Sequence, residues 1–227
     1  MIRIYKPNIT NELLIDGEQF VYLQKVMRVN VDEEIHLFNK NDGEFLCKIT
    51  AIERRFLTVK IVRKLREFLE NKRKVFCVFA KIKQKNAELI VQKCTEIGVY
   101  GFIPMVSTRT VEKNLNIERL QKIAIEASEQ CGRLDIPEFL PEITIEELTK
   151  IKKTAKLILL SQFSNDDTLV NQNYDDIYII SGPEGGFTIQ ELIFLDEICT
   201  KLNLSNNILR AETAAILGCG FVLAKTT

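Results

Sequence analysis

The chain has 227 residues, of which 46% are apolar and 27% charged, with a formal net charge of zero. That length holds one large core or one small and one medium core, since domains usually run to roughly 100–200 residues, and the mixed composition excludes a disordered or fibrous protein. The start, Met1-Ile2-Arg3-Ile4-Tyr5-Lys6, has no apolar core of a secretory signal, and no apolar run reaches the ~18 residues of a membrane span, so a cytoplasmic protein without a membrane partner is expected.

From Phe20 to about Val62 the sequence predicts short strands broken by turns. Glu34 to Phe38 leads into Asn41-Asp42-Gly43, and Glu44 to Ile49 follows; an Asp-Gly pair between alternating segments is a strong hairpin signal. Phe56 to Val62 adds a further strand, completing a small antiparallel barrel or meander, and the charged segment Arg63 to Lys74 has the composition of a linker. After Lys74 the pattern changes. Val75 to Ala80, Val99 to Met105, Leu157 to Leu160 and Ile177 to Ile180 are short, continuous apolar runs, the signature of parallel strands covered by helices on both faces. Between them, Leu120, Ile123, Ala124, Ala127 and Cys131 form one stripe at helical spacing.

The cysteines at 47, 77, 94, 131, 199 and 219 show no CxxC spacing, and His36 is the only histidine. Neither a zinc site nor a disulfide framework follows, so no metal is expected and the cysteines are taken as reduced, mostly buried small hydrophobes. Charge is unevenly spread: residues 71–133 carry an excess of six positive charges and residues 134–227 an excess of seven negative ones. A local basic excess suits a confined phosphate-binding face, although solvated helix faces would give the same count.

The sharpest motif is the strand Ile177 to Ile180 running into Ser181-Gly182-Pro183-Glu184-Gly185-Gly186-Phe187, followed by Thr188 and Glu191 at capping-box spacing. Three glycines and a proline between a strand end and a helix start let backbone groups approach a ligand closely. The GKS or GKT of a phosphate loop and the GxGxxG of a dinucleotide fold are both absent. A second motif, Ile208-Leu209-Arg210-Ala211-Glu212-Thr213-Ala214-Ala215, places Arg210 and Glu212 at a strand-to-helix turn, where charges between buried elements are costly unless paired or used.

The ordered set Gln92-Lys93-x-x-Glu96-x-Gly98-Val99, Glu126-Ala127-x-Glu129-Gln130-x-x-Arg133, Gly182 to Phe187 and Leu209 to Ala214 resembles the RsmE-type ribosomal RNA small-subunit uridine methyltransferases of the SPOUT superfamily. The resemblance implies an α/β fold: a PUA-like β-barrel RNA-binding domain over residues 1–70 and a SPOUT trefoil-knot methyltransferase domain over 71–227. It implies a homodimer that uses S-adenosylmethionine to methylate ring nitrogen 3 of a uridine in small-subunit (16S) rRNA, on RNA or on the assembled small subunit. The cofactor contacts it implies are Leu160, Ser161, Ser181, Gly182, Pro183, Glu184, Gly185, Gly186, Leu204, Ile208, Leu209 and Thr213. Arg210 and Glu212 are the catalytic candidates, Arg210 to steady a developing uracil anion and Glu212 to orient it or relay the proton. RNA contact is expected from Arg3, Lys25 and Arg28 in the barrel and from Lys83, Lys85, Lys93 and Arg133 in the basic section. The sequence departs from the family pattern in three places. Phe20 to Arg28 lacks the family's usual histidine, the first loop of the second domain begins Lys83-Gln84-Lys85-Asn86, and Leu204-Ser205 stands where a glycine is usual. A related enzyme acting on tRNA, or a ribosome-assembly factor that binds cofactor without turnover, remains an alternative.

Overall fold

The structure, a computed structural model, describes residues 1–110, 112, 114–162 and 174–226. The chain forms two compact units, Met1–Glu70 together with Ser128–Ile136, and Asn71–Ala127 together with Pro137–Thr227.

The first unit is a curled five-stranded sheet of β1 (Arg3–Tyr5), β2 (Glu12–Asp16), β3 (Glu34–Asn39), β4 (Gly43–Ile52) and β5 (Phe56–Arg66), in the order β1-β3-β4-β5-β2. Only the β1–β3 pair is parallel. Its core is built from the inward residues Ile4, Ile15, Leu23, Ile35, Leu37, Ile49 and Leu57. The expected hairpin is β3–β4. Its turn is closed by reciprocal bonds: the Asn39 amide donates to Asp42 Oδ2 at 2.7 Å, and the Asp42 N–H donates to Asn39 Oδ1 at 2.6 Å.

Two expectations need correction. Phe20 to Met27 is helical, with α1 (Gly17–Val21) continuing into a π-helical turn (Tyr22–Met27) that ends at Arg28 with φ 55°. Phe20 and Leu23, three apart, are both buried while Val21, Tyr22 and Gln24 are exposed, so one helical face meets the core and overrides the strand propensity of the segment. The charged stretch after Val62 is not all linker either. β5 runs on to Arg66, which pairs with Glu44 across the ladder, and the Arg66 Nε lies 2.6 Å from Glu44 Oε2.

The second unit is a seven-stranded sheet of β6 (Lys74–Ala80), β7 (Gly101–Val106), β8 (Glu138–Phe139), β9 (Ile143–Thr144), β10 (Lys156–Leu160), β11 (Asp176–Ser181) and β12 (Thr200–Leu202). The order is β12-β10-β11-β6-β7-β8, with β9 beside β7, and every pair is parallel. Among the described residues, five helices accompany these strands: α2 (Gln84–Glu96), α3 (Ile117–Cys131), α4 (Leu148–Lys152), α5 (Ile189–Ile198) and α6 (Ala211–Thr226), the last turn of α3 belonging to the first unit. The four apolar runs became β6, β7, β10 and β11. Alternate residues explain their continuous hydrophobicity: Val78 and Ala80 of β6 pack in a cluster with Leu148 and Leu195, while Cys77 faces α2 and α6.

Among the described residues, no helix is long and apolar enough to cross a membrane. All six cysteines are free thiols, and Cys47, Cys77, Cys94 and Cys219 are buried. Cys77, Cys94 and Cys219 nevertheless converge, which their spacing along the chain could not show.

Candidate functional site

Because β10, β11 and β12 are parallel neighbours, the loops that follow them leave the same edge of the sheet. Ligands of open α/β sheets bind in the crevice beyond those carboxyl ends. Here the described residues that follow the three strand ends, the start of α2 and the first turn of α6 line a cavity of about 910 Å³.

The first wall is Leu160, Ser161 and Gln162. The Ser161 N–H donates to the Leu202 carbonyl at 3.0 Å and so ties this wall to the end of β12. The second wall runs from Ser181 through Gly182, Pro183, Glu184, Gly185 and Gly186 to Phe187. It is a closed turn, with the Gly186 N–H donating to the Pro183 carbonyl at 2.9 Å. The Phe187 ring folds back over Gly182 so closely that a side chain there would stand 2.8 Å from it, which leaves glycine as the residue that fits. Two outside groups hold the turn: Asn86 Nδ2 donates to Glu184 Oε1 at 2.9 Å, and Arg109 Nη1 donates to the Gly185 carbonyl at 2.9 Å.

The helix after the turn carries the capping box that the sequence predicts. The Glu191 N–H donates to Thr188 Oγ1 at 3.2 Å, and the Thr188 N–H to Glu191 Oε2 at 2.7 Å. Glu191 Oε1 also accepts from the Thr108 N–H at 2.7 Å. Burial pushes the Glu191 carboxyl up, but the amide donors of Thr108 and Thr188 outweigh it and hold it below its ordinary value.

The third wall includes Leu204, Ile208 and Leu209 and continues into Arg210, Ala211 and Glu212. The Ser181 hydroxyl donates to the Ala211 carbonyl at 3.1 Å, joining the second and third walls. Arg210 is exposed, and Glu212 is 7% exposed although it lines the cavity. Among the described residues, neither side chain forms a hydrogen bond or an ion pair.

The structure therefore gathers Leu160, Ser161, Ser181 to Gly186, Leu204, Ile208, Leu209, Arg210 and Glu212 around one cavity. Thr213 does not reach it. One residue past Glu212, it lies about 100° further round α6 and faces solvent, and Ala214 takes the lining position. Lining residues that the motifs did not flag include Gln162, Leu202 and Asn203. Arg109, which braces Gly185 from 76 positions away in the chain, carries no local signal at all.

The cationic candidates divide. Lys83 lines the cavity and is exposed, as is Lys85 beside it. Lys25 and Arg28 are exposed on the first unit. Lys93 is held by Glu96, with Nζ to Oε1 at 2.8 Å. Arg133 grips Asp135 at 2.6 Å with 13% of its side chain exposed. Arg3 is an interior residue, not a surface one. Its guanidinium meets Glu44 Oε1 at 2.8 Å, the Ser128 carbonyl at 2.9 Å and the Arg133 carbonyl at 3.1 Å, and it stacks 4.2 Å from the Phe38 ring centre. With its donors used inside the unit, Arg3 has a structural role in place of the expected phosphate contact.

Comparison with known proteins matches residues 69–223 to the RNA methyltransferase domain and residues 15–62 to the RNA methyltransferase PUA domain. The chain is 35% identical over 201 residues to a ribosomal RNA small subunit methyltransferase E of Rickettsia conorii, an overlap covering 86% of this chain and 82% of that one. Two solved structures superimpose with TM-scores of 0.87. One is a proposed methyltransferase of Legionella pneumophila with SAM bound, 30% identical, covering 98% of this chain and 97% of that one. The other is the ribosomal RNA small subunit methyltransferase E of Neisseria gonorrhoeae bound to S-adenosyl methionine, 26% identical, covering 99% and 97%.

Proposed function

The chain belongs to the RNA methyltransferase family, an α/β SPOUT-type fold with a PUA-like N-terminal domain, and on that premise we propose that it methylates ring nitrogen 3 of a uridine in small-subunit (16S) ribosomal RNA. The observation that carries this reading is the convergence of Arg210 and Glu212 on the cavity formed by the glycine turn and the ends of β10 and β12.

The cavity suits S-adenosylmethionine, which supplies an electrophilic sulfonium methyl when bound. Leu160, Leu202, Ile208 and Leu209 offer apolar cover for an adenine ring, and the backbone of Gly182 to Gly186 offers hydrogen-bonding groups. Glu212, nearly buried and unpaired among the described residues, places a carboxylate where a cationic ligand offsets its burial. The reacting uracil nitrogen must lose its proton. Arg210, exposed at the rim, donates to the developing uracil anion, and Glu212 orients the base or takes up the proton.

RNA binding is assigned to Lys25 and Arg28 on the first unit and to Lys83 and Lys85 beside the cavity, all of them exposed. The target base must leave its stack to be reached, which an assembled small subunit can present more cheaply than free RNA. A homodimer is supported by apolar side chains exposed just after α2 and on α6, Ile97, Leu217 and Phe221 at 39%, 45% and 39%.

The test is methyl transfer from labelled S-adenosylmethionine to unmodified small subunits, mapped by nuclease digestion and mass spectrometry. Label on one uridine at ring nitrogen 3 is expected, with Arg210→Ala lowering the rate by roughly a hundredfold or more, the cost of losing a transition-state donor. Label on another base refutes the specificity, label on tRNA shifts the substrate, and cofactor binding with no transfer to any RNA establishes the assembly factor.

A further inference from the structure

Away from the cavity, three elements of the second unit each send one cysteine to the same point in the core. Cys77 of β6, Cys94 of α2 and Cys219 of α6 have sulfur atoms that all lie within 4.8 Å of one another. Each is 0% exposed and each is a free thiol. The methyl transfer proposed above uses none of them.

We propose that Cys77, Cys94 and Cys219 form a closed three-sulfur site for a single monovalent thiophilic cation, Cu(I). Sulfur ligands select soft ions such as Cu(I), zinc and iron–sulfur clusters over magnesium or calcium. Ligand number then separates the soft ions. Structural zinc is almost always four-coordinate, and among the described residues no fourth cysteine, histidine or carboxylate joins the trio. The shell is apolar as well. Val75 and Phe79 flank Cys77 on the same face of β6, Ile90 and Val91 lie one turn before Cys94, and Ala215 and Val222 lie one turn to either side of Cys219, all buried. Such an apolar shell offers no polar group to hold a water in a fourth position.

The dimensions fit. Metal–sulfur bonds of about 2.3 Å in a trigonal plane set the sulfurs roughly 4 Å apart, so the trio needs to contract by less than about an ångström. On binding, two thiols release their protons to solvent as the ion enters, and the third coordinates with its proton in place. The group is left with one net negative charge, and a dry core tolerates it only for an ion of high sulfur affinity. The occupied site would staple β6, α2 and α6 together, about two turns along α6 from Glu212.

The experiment uses the full chain, reduced and without oxygen, titrated with Cu(I) against bathocuproine disulfonate as the competing chelator. One ion per chain withheld from the chelator is expected, together with sulfur-to-copper absorption and a raised melting temperature. Cys77→Ala, Cys94→Ala and Cys219→Ala should each weaken retention by more than the 10- to 100-fold typical of losing an outer-sphere partner. Cys131→Ala with Cys199→Ala should retain it. Folding of each variant is checked by S-adenosylmethionine binding. Should the core variants fail to fold, maleimide labelling of the wild type in partial denaturant replaces them, with Cu(I) expected to protect the trio and leave Cys131 reactive. The proposal is overturned if the three core single variants hold copper as well as the wild type, if copper is lost with Cys131 and Cys199, if Cu(I) fails to protect the trio, or if cobalt(II) binds equally tightly with a four-coordinate spectrum.

Discussion

Replacing Glu44 by Gln should cost the first unit about 3 kcal/mol at neutral pH. Glu44 is 3% exposed and receives Arg3 at 2.8 Å and Arg66 at 2.6 Å, with His36 Nδ1 3.0 Å away. Burial alone would push its carboxyl up, but the donors from Arg3, His36 and Arg66 together pull it down from 4.5 to about 2. At 1.36 kcal/mol per pH unit, that depression corresponds to about 3 kcal/mol, and removing one partner of a buried ion pair costs a similar 3–5 kcal/mol. The sign fixes the pH window. A depressed carboxyl contributes its stability above its ordinary value near 4.5 and loses it as pH falls toward 2. Hydrogen exchange at the β3 and β4 amides reports on this unit alone, which global melting of two units would not. The wild type should lose protection there between about pH 4.5 and 2, while Glu44→Gln should start lower by about 3 kcal/mol and change less over the same interval. A variant within about 1 kcal/mol of the wild type at pH 7, or one with the same acid slope, would show that the cluster contributes little.

Three further outcomes follow from the cavity and its supports. Gly218→Ala places a methyl 2.6 Å from Leu160 Cδ2 and should drive Leu160 into the cavity, weakening S-adenosylmethionine binding by roughly tenfold in calorimetry, since overpacking typically costs ~1–3 kcal/mol; unchanged affinity would mean that Leu160 swings elsewhere. Thr188→Ala removes the cap that receives the Glu191 N–H and should cost about 1 kcal/mol in α5, read by hydrogen exchange, with Thr188→Ser restoring it. Lys83→Ala should lower the salt dependence of rRNA binding by about one phosphate contact while leaving cofactor affinity within about twofold, and an unaltered salt slope would remove Lys83 from the phosphate-binding set.

The parallel sheet was legible because its signal is local. Ile177 to Ile180 and Leu157 to Leu160 are apolar on both faces, and only a strand covered by helices on both sides has that composition. The glycine turn and its capped helix were legible for the same reason, each being written in consecutive residues. Phe20 to Met27 misled because an aromatic and β-branched run suits a strand, whereas its burial is decided by the core that Phe20 and Leu23 meet. Arg109 and the three converging cysteines lay beyond sequence reasoning, since their meaning comes from partners 76 positions away for Arg109 and from three separate elements for Cys77, Cys94 and Cys219.

Charge shows most clearly where sequence counting goes astray. The excess of six positive charges in residues 71–133 suggested a phosphate-binding face, yet several of those cations are already engaged. Lys81 lies 2.7 Å from Glu142, Lys93 is paired with Glu96, Arg119 with Glu88, and Arg133 with Asp135. Two of these partners, Asp135 and Glu142, come from the acidic section beyond residue 133, so part of the apparent segregation along the chain is undone by folding. Lys83, just before α2, and Lys85, in its first turn, form no ion pair among the described residues and remain exposed beside the cavity. The proposed phosphate-binding face thus rests on a few lysines beside the cavity, not on the bulk charge of the section. Such a face positions a backbone over the cavity while leaving the choice of base to the cavity itself.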